Sequence, residues 1–150
     1  MRISISSTCI ILLSLFIISC QTKNSDMKEK AKQEIAQAEK DFEKMTAEKG
    51  LKDAFTFYAD SNAVVKGQND SLISGKDGIS HLYGAQGLTN VSLKWSPDFV
   101  DASEDGTLGY TFGKYVWQSK DSTGKLSEYK GVFHTVWKKQ HDGSWKYVWD

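Results

Sequence analysis

The stretch LGYTFGKYVWQSK, residues 108–120, decides the fold class when it is set beside GVFHTVWKK at 131–139 and DGSWKYVWD at 142–150. Aromatic and β-branched residues dominate all three stretches, and such residues pack well on the pleated surface of a sheet. Gly109 and Gly113 interrupt the first stretch, as expected where a long strand has to bend. We therefore predict long, bent strands in the second half of the chain.

Turn-forming residues divide this half of the chain into strands. Three breaks combine Asp with Gly in the way typical of hairpin turns, and Ser96-Pro97 marks a fourth break. The predicted strands are Val91–Trp95, Phe99–Ser103, Leu108–Lys120, Leu126–Lys139 and Trp145–Trp149. Twelve of the 18 aromatic side chains lie beyond residue 94, in or beside these strands. The second half is therefore predicted to be an antiparallel meander.

The first half of the chain has the spacing of helices. Apolar residues recur every three or four positions from Met27 through Ile35, Ala38 and Phe42 to Met45, and charged residues fill the positions between them. A glycine at position 50 ends this long helix. Shorter elements are predicted at Leu51–Tyr58 (helix), Ala63–Val65 (strand) and Lys76–Tyr83 (helix).

Helices that precede a curved antiparallel sheet make an α+β domain. We expect one long amino-terminal helix and two short helices packed on a curved, mainly antiparallel sheet. Since the helices cover the concave face only in part, a pocket is expected between helices and sheet.

The first twenty residues are typical of a secretion signal. A positive start, Met1-Arg2, precedes an apolar run over residues 3–18 that is too short to span a bilayer comfortably. The sequence IISC, ending at Cys20, resembles a bacterial lipobox. This resemblance implies a signal peptide over residues 1–19 and lipidation of Cys20. An ordinary cleaved signal and an uncleaved amino-terminal anchor are the alternatives.

Lipidation predicts where the protein resides. Several acyl chains hold a folded domain on a membrane without a spanning helix. Residues 20–27 would be the lipidated cysteine and a polar tether. We expect a cell-envelope protein, and Gln21 after the cysteine favours the outer membrane with the domain facing the periplasm.

Composition excludes several kinds of chemistry. The chain of 150 residues carries 19 basic and 19 acidic side chains, so net charge gives no drive toward nucleic acid. Cys9 lies in the predicted signal and Cys20 would carry the lipid, which leaves no thiol for disulfides, nucleophilic catalysis or zinc. Arg2 is the only arginine, and its loss with the signal weighs against a clamp for anionic substrates.

The ordered set of motifs resembles the nuclear-transport-factor-2-like superfamily, which includes SnoaL-like and ketosteroid isomerase-like proteins. The resemblance is strongest to the secreted bacterial group called domain of unknown function 4440. Besides the three stretches above, it covers Ala38–Phe42, Glu48–Phe55 and Ser74–Ile79. The resemblance extends over residues 28–150. It implies a cone-like fold, in which a long helix and two short helices wrap against a bent, mainly antiparallel sheet, with a pocket inside the cone. It implies no single activity, because relatives include isomerases, cyclases, dehydratases and plain binding or dimerisation modules.

Candidate functional residues follow from what an isomerase or dehydratase needs, namely a base and a donor for the developing oxyanion. His134 and Asp98 are the candidate bases, with His81 as a third. Alternation along its strand places His134 either in the pocket or on the convex surface. The aromatic residues predicted to line the pocket are Tyr58, Tyr83, Trp95, Phe112, Tyr115 and Trp117.

These observations leave three functions open. The first is a lipid-anchored protein whose domain binds a small apolar molecule or serves as an interaction module without catalysis. The second is an isomerase or dehydratase-like enzyme, and the third is a homodimerisation module. The three histidines lack metal-binding spacing, and no phosphate loop or dinucleotide fingerprint occurs, so no metal, cofactor or nucleic-acid partner is expected.

Overall fold

The computed structural model describes residues 8–85 and 90–150, with side chains from residue 25 onward. The described residues form three α-helices and six strands. In chain order these are α1 (Thr8–Lys49), α2 (Leu51–Tyr58), β1 (Ala59–Lys66), β2 (Leu72–Ser74), α3 (Gly75–Tyr83), β3 (Val91–Ala102), β4 (Leu108–Lys120), β5 (Leu126–Lys139) and β6 (Trp145–Trp149). Residues 1–7 and the side chain of Cys20 lie outside this description, so the signal peptide and the lipid site stay predictions.

Helix α1 begins before the predicted start at Met27 and includes the polar residues 21–26. No glycine or proline occurs between Cys20 and Lys49, so nothing in that stretch interrupts a helix. Gly50, with a φ of 86°, ends α1 as predicted and directly precedes α2. In the described ranges, no helix is long and apolar enough to cross a membrane.

The six strands form one curved sheet in the order β2-β1-β6-β5-β4-β3. All neighbours are antiparallel except β1 and β6, which pair in parallel. The parallel pair brings the carboxy-terminal strand into the middle of the sheet. Three helices on one side of this mainly antiparallel sheet confirm the α+β cone predicted from the sequence.

The predicted break at Ser96-Pro97 is wrong, because β3 runs without interruption from Val91 to Ala102. Proline has no amide proton to donate, so it is tolerated in a strand at the edge of a sheet, where β3 lies. The register to β4 shifts between Pro97 and Phe99, and this bulge absorbs the irregularity. Gly113 faces the bulge, and a Cβ there would collide with the main-chain oxygen of Ser96.

The core lies between α1 and the concave face of the sheet. Side chains that point toward α1, such as Thr111 and Trp137, are fully buried. Their neighbours on β4 and β5 alternate to the opposite side and are exposed, as Phe112 and His134 are. We call these two sides of β3, β4 and β5 the inner face and the outer face.

Candidate functional site

Aromatic rings fill the space between α1 and the inner face. The ring of Phe42 lies at their centre, 4.8 Å from the rings of Phe55 and Tyr58 and 4.9 Å from that of Trp95. The ring of Trp137 is 6.3 Å away from Phe42 and completes the contact with the sheet. We call the following residues the inner aromatic cluster: Phe42, Phe55, Tyr58, Tyr83, Trp95, Trp137 and Tyr147. Edge-to-face and stacked pairs of this kind add stability beyond the buried area.

A carboxylate, Glu39, lies inside this cluster. It is 1 % exposed and accepts three hydrogen bonds. Thr111 Oγ1 and Trp137 Nε1 donate to Oε1 over 2.5 and 2.9 Å, and Trp95 Nε1 donates to Oε2 over 2.7 Å. Glu39 therefore ties α1 to β3, β4 and β5 at once.

Each donor to Glu39 is electrically neutral. Burial raises the pKa of the Glu39 carboxyl, and the three hydrogen bonds oppose that rise without reversing it. Among the described residues, Glu39 forms no ion pair. Glu39 therefore links α1 to the sheet, and no cationic side chain among the described residues pairs with its acidic group.

A second interior carboxyl belongs to Asp150, directly after β6. Thr135 Oγ1 donates to its Oδ1 over 2.6 Å, while its main chain pairs with Val64 and Lys66 of β1. Burial, with a smaller contribution from the charge of Glu39, raises the pKa of Asp150 to about 7. Thr111 and Thr135 are paired across β4 and β5, so the two acids accept hydrogen bonds from neighbouring residues of the inner face.

Tyr83, at the end of α3, lies against the same end of the cone. Its ring stacks on Phe55 with 3.9 Å between centroids. Burial, and then the charge of Asp150, raises the pKa of its hydroxyl well above the ordinary value. Tyr147 has its pKa raised for the same reasons, and its hydroxyl donates to Phe55 O over 2.8 Å. This end of the cone therefore combines an acid with aromatic walls.

The raised pKa of Asp150 makes the stability of the protein depend on pH. Between about pH 4 and pH 7 the folded state holds a proton that the unfolded state has released, so the free energy of unfolding falls as pH rises through this window. We expect D150N, which keeps an oxygen for Thr135, to weaken this fall and to unfold several degrees higher than wild type at pH 8.

Thermal unfolding of both proteins between pH 5 and pH 8 checks this prediction. Carboxyls whose pKa is lowered in the folded state, such as those of Asp60 and Asp101, stabilise the fold at every pH above their ordinary pKa. They lose this contribution only as pH falls below that value, so they do not change the slope of the free energy of unfolding between about pH 4 and pH 7. Parallel curves for wild type and D150N would contradict it.

The structure brings together most of the residues predicted to line a pocket. Tyr58, Tyr83 and Trp95 belong to the inner aromatic cluster, and Trp117 packs against the core. Tyr115 is half-buried, opposite Trp95 on β3. The prediction for Phe112 is wrong. Its ring is 40 % exposed on the outer face, because alternation along β4 places Thr111 and Gly113 inward instead.

The candidate bases lie outside the cone. His134 pairs with Phe112 across β4 and β5 and is exposed on the outer face. Asp98 is exposed at the bulge of β3, and His81 is exposed on α3 beside a surface groove of about 380 Å³. None of these three meets the inner acids, so the prediction of His134 or Asp98 as a base in the pocket is wrong.

Sequence reasoning missed both Glu39 and Asp150. The spacing contained a signal for Glu39, because Ala31, Ile35, Glu39 and Phe42 form one stripe on α1 and all are buried. The prediction instead assigned its apolar neighbour, Ala38, to the buried stripe. No sequence signal marks Asp150, because its inward position depends on the parallel pairing of β1 with β6.

The outer face carries a second cluster of exposed apolar side chains. The rings of Phe99 and Phe112 stack with centroids 5.1 Å apart, and Tyr110 lies 5.8 Å from Phe99. We call the following residues the outer apolar patch: Phe99, Leu108, Tyr110, Phe112 and Val132, which are 42, 46, 38, 40 and 74 % exposed. An open groove of about 470 Å³ runs beside the patch between Leu108, Tyr110 and His134.

The described residues contain no group of three His, Cys, Asp or Glu side chains placed to hold a metal ion. In the described part of the chain, the candidates for ligand binding or catalysis are the two inner acids and the two aromatic surfaces.

Comparison with known proteins places the fold. No protein-family model matches the sequence, and neither does any curated protein. Solved structures do match. A nuclear-transport-factor-2-like superfamily protein from Salmonella enterica superimposes with a TM-score of 0.66 at 14 % identity, over 81 % of this chain and 88 % of that chain.

Two further matches have more specific titles. A ketosteroid isomerase-like protein from Erwinia carotovora gives a TM-score of 0.62 at 14 % identity, over 76 % of this chain and 88 % of that chain. The association domain of CaMKII from C. elegans gives 0.63 at 17 % identity, over 83 % and 95 %. Together with the helices packed on a curved six-stranded sheet, these likenesses show that the chain has the nuclear-transport-factor-2-like fold.

Proposed function

We propose that this protein is an interaction module of the bacterial cell envelope that pairs with a second copy of itself through the outer apolar patch. The observation that carries the proposal is the exposure of five large apolar side chains on one sheet face. Unusually large contiguous apolar patches on the surface of a folded domain mark interaction sites. The inner face supports this choice, because its own aromatic rings fill much of the cone.

A second copy fits the patch for reasons of shape and charge. A two-fold contact places the same surface on both partners, so the stacked rings would meet their equivalents. Exposed charges of both signs flank the patch, with Lys94, Lys114 and Asp98 among them. Such a rim suits self-pairing, since it avoids a surface of one sign facing itself. The likeness to a domain titled as an association domain supports the same occupant.

The mass of the full chain in solution tests this proposal. A standard interface buries about 800 Å² on each partner, and the outer apolar patch would form its centre. We expect a dimer at micromolar concentration in sedimentation velocity. A monomer at all concentrations up to about 1 mM would rule out the pairing.

Anchoring through Cys20 is the second part of the proposal. It is supported by the sequence that precedes the cysteine and by the polar residues that follow it. We expect C20S, expressed in a bacterium with a lipoprotein pathway, to move from the membrane fraction to the soluble fraction. Wild-type protein in the soluble fraction, without an acylated amino terminus by mass spectrometry, would contradict the anchor.

Small-molecule binding inside the cone is the second candidate function. It is supported by the interior acid Asp150, by Tyr83 beside it, and by the likeness to an isomerase-like protein. The predicted bases, His134 and Asp98, are not part of this candidate, because both lie outside the cone.

A further inference from the structure

A histidine, His134, lies beside the rings of the outer apolar patch. It pairs with Phe112 across β4 and β5, and its ring centroid is 6.0 Å from that of Tyr110. Along β5 it is the next outer-face residue after Val132, the most exposed member of the patch. His134 also lines the open groove of about 470 Å³ beside the patch. A second copy that covers the patch therefore covers His134 as well.

The charged groups around His134 are mostly cationic. The lysines are Lys94 on β3, Lys114 on β4, Lys130 and Lys138 on β5, and Lys146 on β6, and the acids are Asp98 and Asp101 on β3 and Glu128 on β5. Among the described residues His134 forms no ion pair. Glu128 pairs with Lys130 and Asp101 with Lys28, and β4 separates His134 from Asp98. The buried acids of the inner face lie behind the sheet. A proton on His134 therefore adds a positive charge to a face that is already rich in lysine.

Protonation of His134 has a different cost in the single and the paired protein. Histidine is the side chain that ordinarily gains its proton between pH 8 and pH 5. On the single protein His134 is exposed, so water solvates the imidazolium. Between two copies of the apolar patch the imidazolium would lose this water without gaining an acid, and burial of an unpaired charge is costly. The neutral imidazole is covered at much lower cost, so protonation favours separation.

We propose that His134 makes self-pairing through the outer apolar patch depend on pH, so that two copies pair while its imidazole is neutral and separate when it is protonated. This inference rests on the proposed self-pairing and names its regulation. A two-fold contact covers one His134 from each copy, so pairing in mild acid requires the release of up to two protons. The dissociation constant of the pair should then rise by up to about 100-fold between pH 8 and pH 5.5.

Other groups that titrate in this range act in ways that can be told apart from His134. The proton that Asp150 holds in mild acid stabilises the folded state, so it does not unfold the chain as pH falls to 5.5. His81 is exposed on α3 and His141 in the turn between β5 and β6, and neither belongs to the outer apolar patch. Substitution of single histidines therefore separates the effect of His134 from the others.

Sedimentation velocity of the full chain at pH 8 and pH 5.5 tests the inference. We expect wild type to pair at least about tenfold more weakly at pH 5.5. H134Q is neutral at both pH values and should pair equally at both. H134K is positively charged at both and should pair at least about tenfold more weakly than H134Q at pH 8. H81Q makes the same change on α3 and should keep the pH dependence of wild type, and circular dichroism checks that each variant is folded.

The outcomes separate the inference from the function on which it rests. Equal pairing of wild type at the two pH values, a pH dependence that persists in H134Q, or equal pairing of H134K and H134Q at pH 8 would overturn the role of His134 and leave self-pairing standing. Absence of pairing by wild type at both pH values, up to about 1 mM, would overturn self-pairing and the inference with it.

Discussion

Glu39→Ala is expected to lower the free energy of unfolding by about 4 kcal/mol and the melting temperature by roughly 10 °C at pH 7. The change removes the acceptor shared by Thr111, Trp95 and Trp137, and it leaves their donors buried without partners. A buried donor that loses its acceptor costs about 1–3 kcal/mol. Relief of the buried negative charge offsets part of this cost, so the net effect is smaller than three such penalties.

Two control variants isolate the network. Glu39→Gln keeps an oxygen for Thr111 and Trp137 but turns an amide nitrogen toward Trp95 Nε1, so we expect about half the loss. Glu48→Ala, on the exposed side of α1, should change the stability by less than about 0.5 kcal/mol. Urea unfolding of the four proteins measures the differences. Equal stability of E39A and E48A would show that the network does not hold α1 to the sheet.

Much of the fold could be predicted from local sequence patterns. The bounds of β4, β5 and β6 agree with the turn residues that flank them, since Asp and Gly in hairpin turns are strong local signals. The bounds of α2 agree as well. The start of α1 and the continuity of β3 could not be predicted in this way. Residues 21–26 are polar but contain no helix breaker, so the helix continues through them. A proline such as Pro97 interrupts a strand only where a neighbouring strand needs a hydrogen bond from its amide proton, and β3 continues through it.

The candidate site was harder to predict than the fold. Alternation along β5 left two faces open for His134, and nothing local decides which face is concave. Asp150 reaches the inner face only because β6 lies between β1 and β5. This pairing joins residues more than eighty positions apart, for example Ala59 and Tyr147. Residues whose position depends on such long-range contacts carry little local signal.

Phe112→Asp is expected to weaken self-pairing by more than about 100-fold. Phe112 stacks on Phe99 at the centre of the outer apolar patch, so a second copy would bring another apolar surface against the new carboxylate. An unpaired charge in a desolvated contact costs several kcal/mol. The monomer itself should remain folded, because the ring is already 40 % exposed and contributes little to the core.

Sedimentation velocity over a range of concentrations measures this loss, and circular dichroism checks that the variant is folded. Phe57→Asp is the matched control, since Phe57 is 52 % exposed on α2, away from the outer face. It makes the same chemical change where no pairing is proposed, so its dimer should be as tight as that of wild type. If F112D pairs as tightly as F57D, the contact between copies lies elsewhere on the molecule. If both variants lose pairing equally, added negative charge acts at a distance and the patch is not the specific interface.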